Sequence, residues 1–138
     1  MGPAALRAGV LLALAGMLAG CGPGAPGPGA SAGARVYAMN CRSCHGAEGQ
    51  GVRGMQPPLA GTPVPLGDPE VLLGWVMYGQ RPAALPRGAY AGVMPQFAYL
   101  TDADLAAVLT HVRSSFGNHA APVLPAEVAA VRRAHPHG

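Results

Sequence analysis

The pattern of apolar positions predicts three helices in the middle of this chain. The first runs from about Ala34 to Arg42. The second begins at Asp68, a residue type that caps helix N-termini, continues with Pro69 in its first turn, and ends at Gly79. Its apolar residues lie at helical spacing: Val71, Leu72, Trp75 and Val76.

The third predicted helix has the clearest start and stop signals. Thr101 and Asp104 form a pair that resembles a capping box, and Gly117 is expected to end the helix. Between them, the apolar residues follow the i, i+3, i+4, i+7 rule: Leu105, Val108, Leu109 and Val112.

Two long segments, 46–65 and 80–99, separate these helices. Both are rich in Gly and Pro, and neither alternates apolar with polar residues, so no strand is predicted. The fold class is therefore all-α, with three main helices and long loops. Loops of this length are uncommon in a compact domain, so we expect a large buried cofactor against which they pack.

The N-terminal residues 1–20 are predicted to be a secretory signal peptide. Arg7 precedes an apolar run from Ala8 to Leu18, which is too short to span a bilayer comfortably, and two small residues lead to Cys21. This end resembles the leader of bacterial lipoproteins, which implies that Cys21 becomes the mature N-terminus and carries the lipid. An ordinary cleaved leader with an incidental cysteine is the alternative.

The rest of the chain divides by composition. Residues 21–32 comprise the cysteine and a tract of Pro, Gly and Ala without charge, which predicts a flexible tether. One domain is expected over 33–118. Residues 119–138 are expected to form a peripheral tail, in which a short helix could form from Ala126 to Ala134.

The candidate chemistry lies at the end of the first helix, where Cys41, Cys44 and His45 spell C-x-x-C-H. Two thiols at this spacing can bond covalently to the vinyl groups of a haem, and the adjacent imidazole can ligate its iron. A closed zinc site is disfavoured because it needs four ligands, and only these three cluster. With Cys21 as the lipid anchor, no cysteine is left over.

A haem that transfers electrons needs a second axial ligand, and Met94 is the best candidate. It lies in a Met-Pro pair just before the third helix, and Pro95 would stiffen the loop. A thioether on the far face raises the reduction potential. His111 and His119 are the alternatives, for ligation by two histidines.

The charged residues of the chain limit the classes of partner that it can bind. The chain has no lysine, and without Arg7 it has eight arginines against six acidic residues. Nucleic-acid binding therefore has no support. A ring of lysines that would steer the protein to acidic partners is also missing.

On these residues, the region 33–118 resembles a small bacterial class I cytochrome c. In that family a glycine and an aromatic residue on the first helix meet apolar residues on the last, and Gly33 and Tyr37 match them. The family also has a proline whose carbonyl accepts the second ring proton of the histidine. The resemblance gives this role to Pro57, in Pro57-Pro58-Leu59, and places Leu59 against the haem.

The resemblance implies one covalently attached haem c and a one-electron carrier without a substrate of its own. The expected partners are redox proteins, an electron donor and an acceptor, and the lipid would hold the protein on the periplasmic or outer face of the cell membrane. The chain is also similar to cytochrome c subunits of periplasmic dehydrogenases, nitrite reductases and oxidases. A fixed subunit of such a complex is therefore the alternative, and a haem enzyme or gas sensor ranks behind both.

The sequence does not identify which residues contact the haem propionates. Trp75 and Tyr78 could hydrogen-bond a propionate, although core packing is favoured for both. A guanidinium matches a carboxylate well, so the candidates also include three arginines: Arg53, Arg81 and Arg87.

Overall fold

The computed structural model describes residues 30–136, and this part of the chain is helical. The predicted signal peptide, Cys21 and most of the predicted tether lie outside the described residues. Six helices follow one another: α1 (Ala32–Asn40), α2 (Arg42–His45), α3 (Pro63–Leu66), α4 (Pro69–Tyr78), α5 (Asp102–Ser114) and α6 (Pro125–Ala134).

The described residues contain no strand, only an isolated bridge between Val52 and Gln56. The prediction of an all-α fold with long loops is thus confirmed. Between residues 30 and 136, no helix has both the length and the apolar character that crossing a bilayer requires.

Local capping signals explain where α4 begins and ends. The Asp68 carboxylate accepts a hydrogen bond of 2.7 Å from the Glu70 N–H, and Pro69 occupies the first turn. The helix ends at Gly79, whose φ of 70° lies in the left-handed region. Both ends are as predicted.

The other two predicted helices differ at one end. In α5 the Thr101 hydroxyl accepts from the Asp104 N–H at 3.1 Å, as expected, but the helix stops before Gly117. It does so because Ser115 is extended and Phe116 has a φ of 59°. The first helix divides at Cys41, so the C-x-x-C-H residues form a turn of their own, α2.

The core forms where α1 crosses α5. Gly33 allows the close approach, since a Cβ at this position would lie 2.8 Å from the His111 Cβ and even closer to the Ala107 carbonyl. One turn along, Tyr37 is buried, and its ring lies 5.4 Å from that of His111 and 5.2 Å from that of Phe116. The crossing therefore fixes the end of α1 that leads into Cys41.

The C-terminal segment is part of the packed structure, and its reading as a peripheral tail is corrected. Helix α6 packs against α4 and α5, with Val128 fully buried and Val131 nearly so. Arg132 donates to the carbonyls of Ala98 (2.7 Å) and Leu100 (3.0 Å). The apolar side of this short helix holds only a few residues, so its pattern did not distinguish a packed helix from an exposed one.

A buried arginine joins the segments around α5. The guanidinium of Arg113 donates to the carbonyls of Pro65 (2.7 Å), Gly67 (2.8 Å) and Ala121 (2.7 Å). These bonds tie α3 and the approach to α6 onto the last turn of α5. Buried charge is tolerated here because each bond goes to a carbonyl dipole.

Candidate functional site

The C-x-x-C-H turn presents its two cysteines and its histidine toward the interior of the domain and leaves Ser43 exposed. The His45 N–H donates to the Cys41 carbonyl at 2.9 Å, which closes the turn. Cys41 and Cys44 are half-buried and are not joined by a disulfide, and His45 is only 7% exposed. Three potential ligating or bonding groups thus lie within five residues.

The orientation of the His45 ring is set by the loop that follows. Its Nδ1 lies 3.1 Å from the Pro57 carbonyl oxygen, which can only accept. With Nδ1 as the donor, Nε2 is the ring atom available as a ligand. Burial lowers the pKa of His45, and the bond to Pro57 opposes that shift without outweighing it. The ring is therefore kept neutral, the form that binds a metal.

Two adjoining cavities of about 290 and 340 Å³ lie beside this turn. Together they have the size of a cofactor pocket. Their shared wall includes Cys41, His45, Pro57 and Met94. The first cavity is otherwise lined mainly by apolar side chains, among them Leu59, Leu72, Leu105, Val108, Leu109 and Val112.

This cleft fits a haem. It is apolar, as a porphyrin face requires, and it brings an imidazole and a thioether to the same space beside two thiols. Neither His111 nor His119 lines the two cavities. Among the other methionines of the described region, Met77 is fully buried in the core, Met55 lines neither cavity, and Met39 lines the second cavity but is 81% exposed.

The loop around Met94 is anchored on both sides. Before it, the Gly92 N–H donates to the Met55 carbonyl at 2.8 Å. After it, the Phe97 N–H donates to the Val76 carbonyl on α4 at 2.9 Å. Helix α4 and the loop 52–56 thus hold the methionine at the cleft.

Burial also affects the first cysteine. Desolvation, followed by the neighbouring Cys44, raises the pKa of Cys41 to about 11. The thiol is therefore protonated at neutral pH, unlike the low-pKa thiolates of redox or nucleophilic sites. Within residues 30–136, no group of three or more His, Cys, Asp or Glu side chains is arranged to hold a metal ion directly.

The aromatic and basic residues that were candidates for contact with the haem propionates differ in whether they line the cavities. Trp75 lines both cavities, whereas the Tyr78 ring stacks 4.9 Å from that of His135 at the end of α6. Arg81 lines the second cavity and donates to the Pro86 carbonyl at 2.6 Å. Neither Arg53 nor Arg87 lines the cleft.

Leu85 and Tyr90 are among the lining residues that sequence reasoning missed. Both belong to the Gly- and Pro-rich loop 80–99, which has no periodicity from which an inward face could be read. Sequence reasoning also missed Asn118, whose side chain bonds to residues far away in the chain. No local sequence pattern predicts such a long-range contact.

Comparison with known proteins agrees with this geometry. The cytochrome c family model matches residues 30–116. Cytochrome c-552 of Thermus thermophilus is 40% identical over 91 residues, which cover 62% of this chain and 69% of that protein. A second cytochrome c-552 from the same species has the same identity over 91 residues, and the match spans 61% of its length.

Two longer proteins match over part of their length. The cytochrome c subunit of a quinone alcohol dehydrogenase of Gluconobacter oxydans is 40% identical over 92 residues, covering 65% of this chain and 19% of the subunit. The cytochrome c subunit of gluconate 2-dehydrogenase of Pantoea cypripedii is 33% identical over 105 residues, covering 73% of this chain and 24% of the subunit. From the family match, the apolar cleft beside C-x-x-C-H and these relatives, the chain belongs to the cytochrome c family of electron-transfer proteins, which bind haem c covalently.

Proposed function

We propose that this chain holds a single haem c in the two adjoining cavities and passes one electron at a time between redox proteins. Cys41 and Cys44 would form the thioethers, and His45 and Met94 would ligate the iron. The observation that carries this proposal is that one apolar cleft is bordered by both thiols, the imidazole and the thioether. When bound, the haem supplies the iron that accepts and releases the electron.

The chain's own residues favour transfer without rearrangement. The Pro57 carbonyl holds the His45 ring in one orientation, and anchors on both sides fix the loop of Met94. Leu59 and the apolar residues of α5 would shield the bound haem from water. A thioether ligand raises the reduction potential, and a dry site with retained ligands keeps reorganisation small.

Retention of Met94 separates a carrier from a haem enzyme or gas sensor. An enzyme or sensor needs an open or weakly held sixth position, and here a thioether side chain borders that space. We therefore propose a carrier without a substrate of its own.

The location we propose is extracytoplasmic. The leader and Cys21 support a lipoprotein attached by its acyl chains to the outer face of a membrane. A tether from Gly22 to about Ser31, with its Gly- and Pro-rich composition, would have a reach on the order of 20 Å. The domain could then turn between a donor and an acceptor at the membrane surface.

A fixed subunit of a larger complex is the second candidate. It is favoured by the relatives that are cytochrome subunits of an alcohol dehydrogenase and a gluconate dehydrogenase. Detergent extraction followed by size separation distinguishes the two functions. A free carrier migrates as an isolated cytochrome, whereas a subunit migrates with a dehydrogenase or other redox enzyme. Cys21→Ser tests the anchor in the same experiment, because loss of the lipid should release the protein from the membrane.

The ligands are tested by optical spectra of the haem-loaded protein, oxidised, reduced and with carbon monoxide. We expect the weak near-infrared band of methionine-to-ferric-iron charge transfer, and no reaction of the reduced protein with carbon monoxide. Met94→Ala should lose the band and bind carbon monoxide. Met55→Ala is the matched control, because Met55 lines neither cavity. Ready carbon monoxide binding by the wild type would refute the carrier and favour a sensor or enzyme.

A further inference from the structure

Asn118 is a buried polar residue whose side chain joins the end of α5 to a loop far away in the chain. It follows α5, lies beyond the residues matched by the family model, and is only 2% exposed. Its Oδ1 accepts from the Gly61 N–H at 2.8 Å. Its Nδ2 donates to the carbonyls of Leu59 at 3.1 Å and Val112 at 2.8 Å. One amide thus fastens the loop 57–61 to the end of α5.

That loop carries the acceptor for His45. The Leu59 N–H donates to the Gly49 carbonyl at 2.7 Å, so the segment after the two prolines is held from both sides. Pro57 and Pro58 have fixed φ angles, which leaves few free torsions between Leu59 and the carbonyl of Pro57. A shift of the Leu59 end would therefore move the carbonyl that lies 3.1 Å from the His45 Nδ1.

We propose that Asn118 is a positioning residue that sets the strength of the His45–Pro57 hydrogen bond and, through it, the reduction potential. This inference rests on the proposed function, in which His45 ligates the haem iron. A bond from Nδ1–H to a carbonyl makes the imidazole a stronger electron donor, which stabilises ferric more than ferrous iron. Loosening the loop should therefore raise the potential.

The test is the midpoint potential of haem-loaded Asn118→Ala, together with exchange of the His45 ring Nδ1 proton followed by NMR in the reduced protein. We expect the ratio of reduced to oxidised protein at a fixed potential to rise by up to about tenfold, which is about 59 mV for a one-electron couple. We also expect the ring proton to exchange faster than in the wild type.

Thr110→Val is the matched control. The Thr110 hydroxyl also joins α5 to a distant segment, donating to the Val123 carbonyl at 3.2 Å and accepting from its N–H at 3.0 Å. It does not bond to the loop 57–61. This variant should lose stability but keep the wild-type potential and ring-proton exchange, so a general loosening of the fold is distinguished from a positioning effect.

The outcomes separate the two proposals. A wild type without the histidine–methionine spectrum refutes the proposed function. If that spectrum is present in wild type and Asn118→Ala, and the potential of the variant equals that of the wild type or of Thr110→Val, the role of Asn118 is refuted.

If Asn118→Ala does not fold, hydrogen exchange of the wild type decides. The Gly61 amide and the His45 ring proton should then exchange through one opening, with the same denaturant dependence. Exchange of the ring proton through a separate opening refutes the inference.

Discussion

Gly33→Ala tests whether the crossing of α1 and α5 requires a glycine. A Cβ at Gly33 would overlap the Ala107 carbonyl and lie 2.8 Å from the His111 Cβ. The first of these is helix backbone, which cannot rotate away, so the two helices must separate. Overpacking of this kind costs about 1–3 kcal/mol. The better helix propensity of alanine offsets roughly 0.5–1 kcal/mol of this destabilisation.

We therefore expect the free energy of unfolding to fall by about 1–2 kcal/mol, and the melting temperature by roughly 5–12 °C for a domain of this size. The assay is thermal and denaturant unfolding of the haem-loaded protein, followed by circular dichroism. Gly74→Ala is the control, because a Cβ at this buried helical glycine meets only the flexible end of Gln80, at 2.5 Å. The reasoning is refuted if Gly33→Ala is as stable as the wild type, or if both variants lose the same stability.

Three further predictions concern α6, the Met94 loop and pH. Arg132→Ala should increase carbon monoxide binding by the reduced protein, because it releases the carbonyls of Ala98 and Leu100 in the segment that follows Met94. Arg133→Ala is the control and should not increase this binding, because Arg133 is exposed. Val128→Ala should destabilise the protein by roughly 2 kcal/mol in urea unfolding, since a fully buried side chain is shortened. Burial lowers the pKa of His111 from 6.5, so below that pH the unfolded chain binds more protons and stability falls. Melting between pH 7 and 5 should fall less in His111→Gln, and equal slopes would contradict this.

Local signals made part of this structure predictable from the sequence. The ends of α4 follow from Asp68 and Gly79, whose side-chain and backbone preferences act within one turn. The spacing of the cysteines and histidine, and the Met-Pro pair at Met94, mark segments that the fold brings to one cleft. Each of these signals is contained in a few neighbouring residues.

Long-range contacts account for what the sequence did not reveal. Asn118 bonds to Gly61 across 57 positions, and Arg132 to Leu100 across 32. Neither residue belongs to an apolar pattern, and each acts on a backbone group that any residue type would supply. The packing of α6 was missed because its apolar side holds only a few residues and because Arg132 bonds to carbonyls in a distant loop.

These long-range bonds divide between the two faces of the cleft. On the side of His45, Asn118 fastens the loop that carries the Pro57 carbonyl to the end of α5. On the side of Met94, Arg132 fastens the loop that follows the methionine to α6. Because the bonds share no residue, loss of one should leave the other proposed ligand in place. Asn118→Ala should then change the reduction potential without opening the site, whereas Arg132→Ala should allow carbon monoxide to bind. Additive effects in the double variant would show that the two proposed ligands are positioned independently.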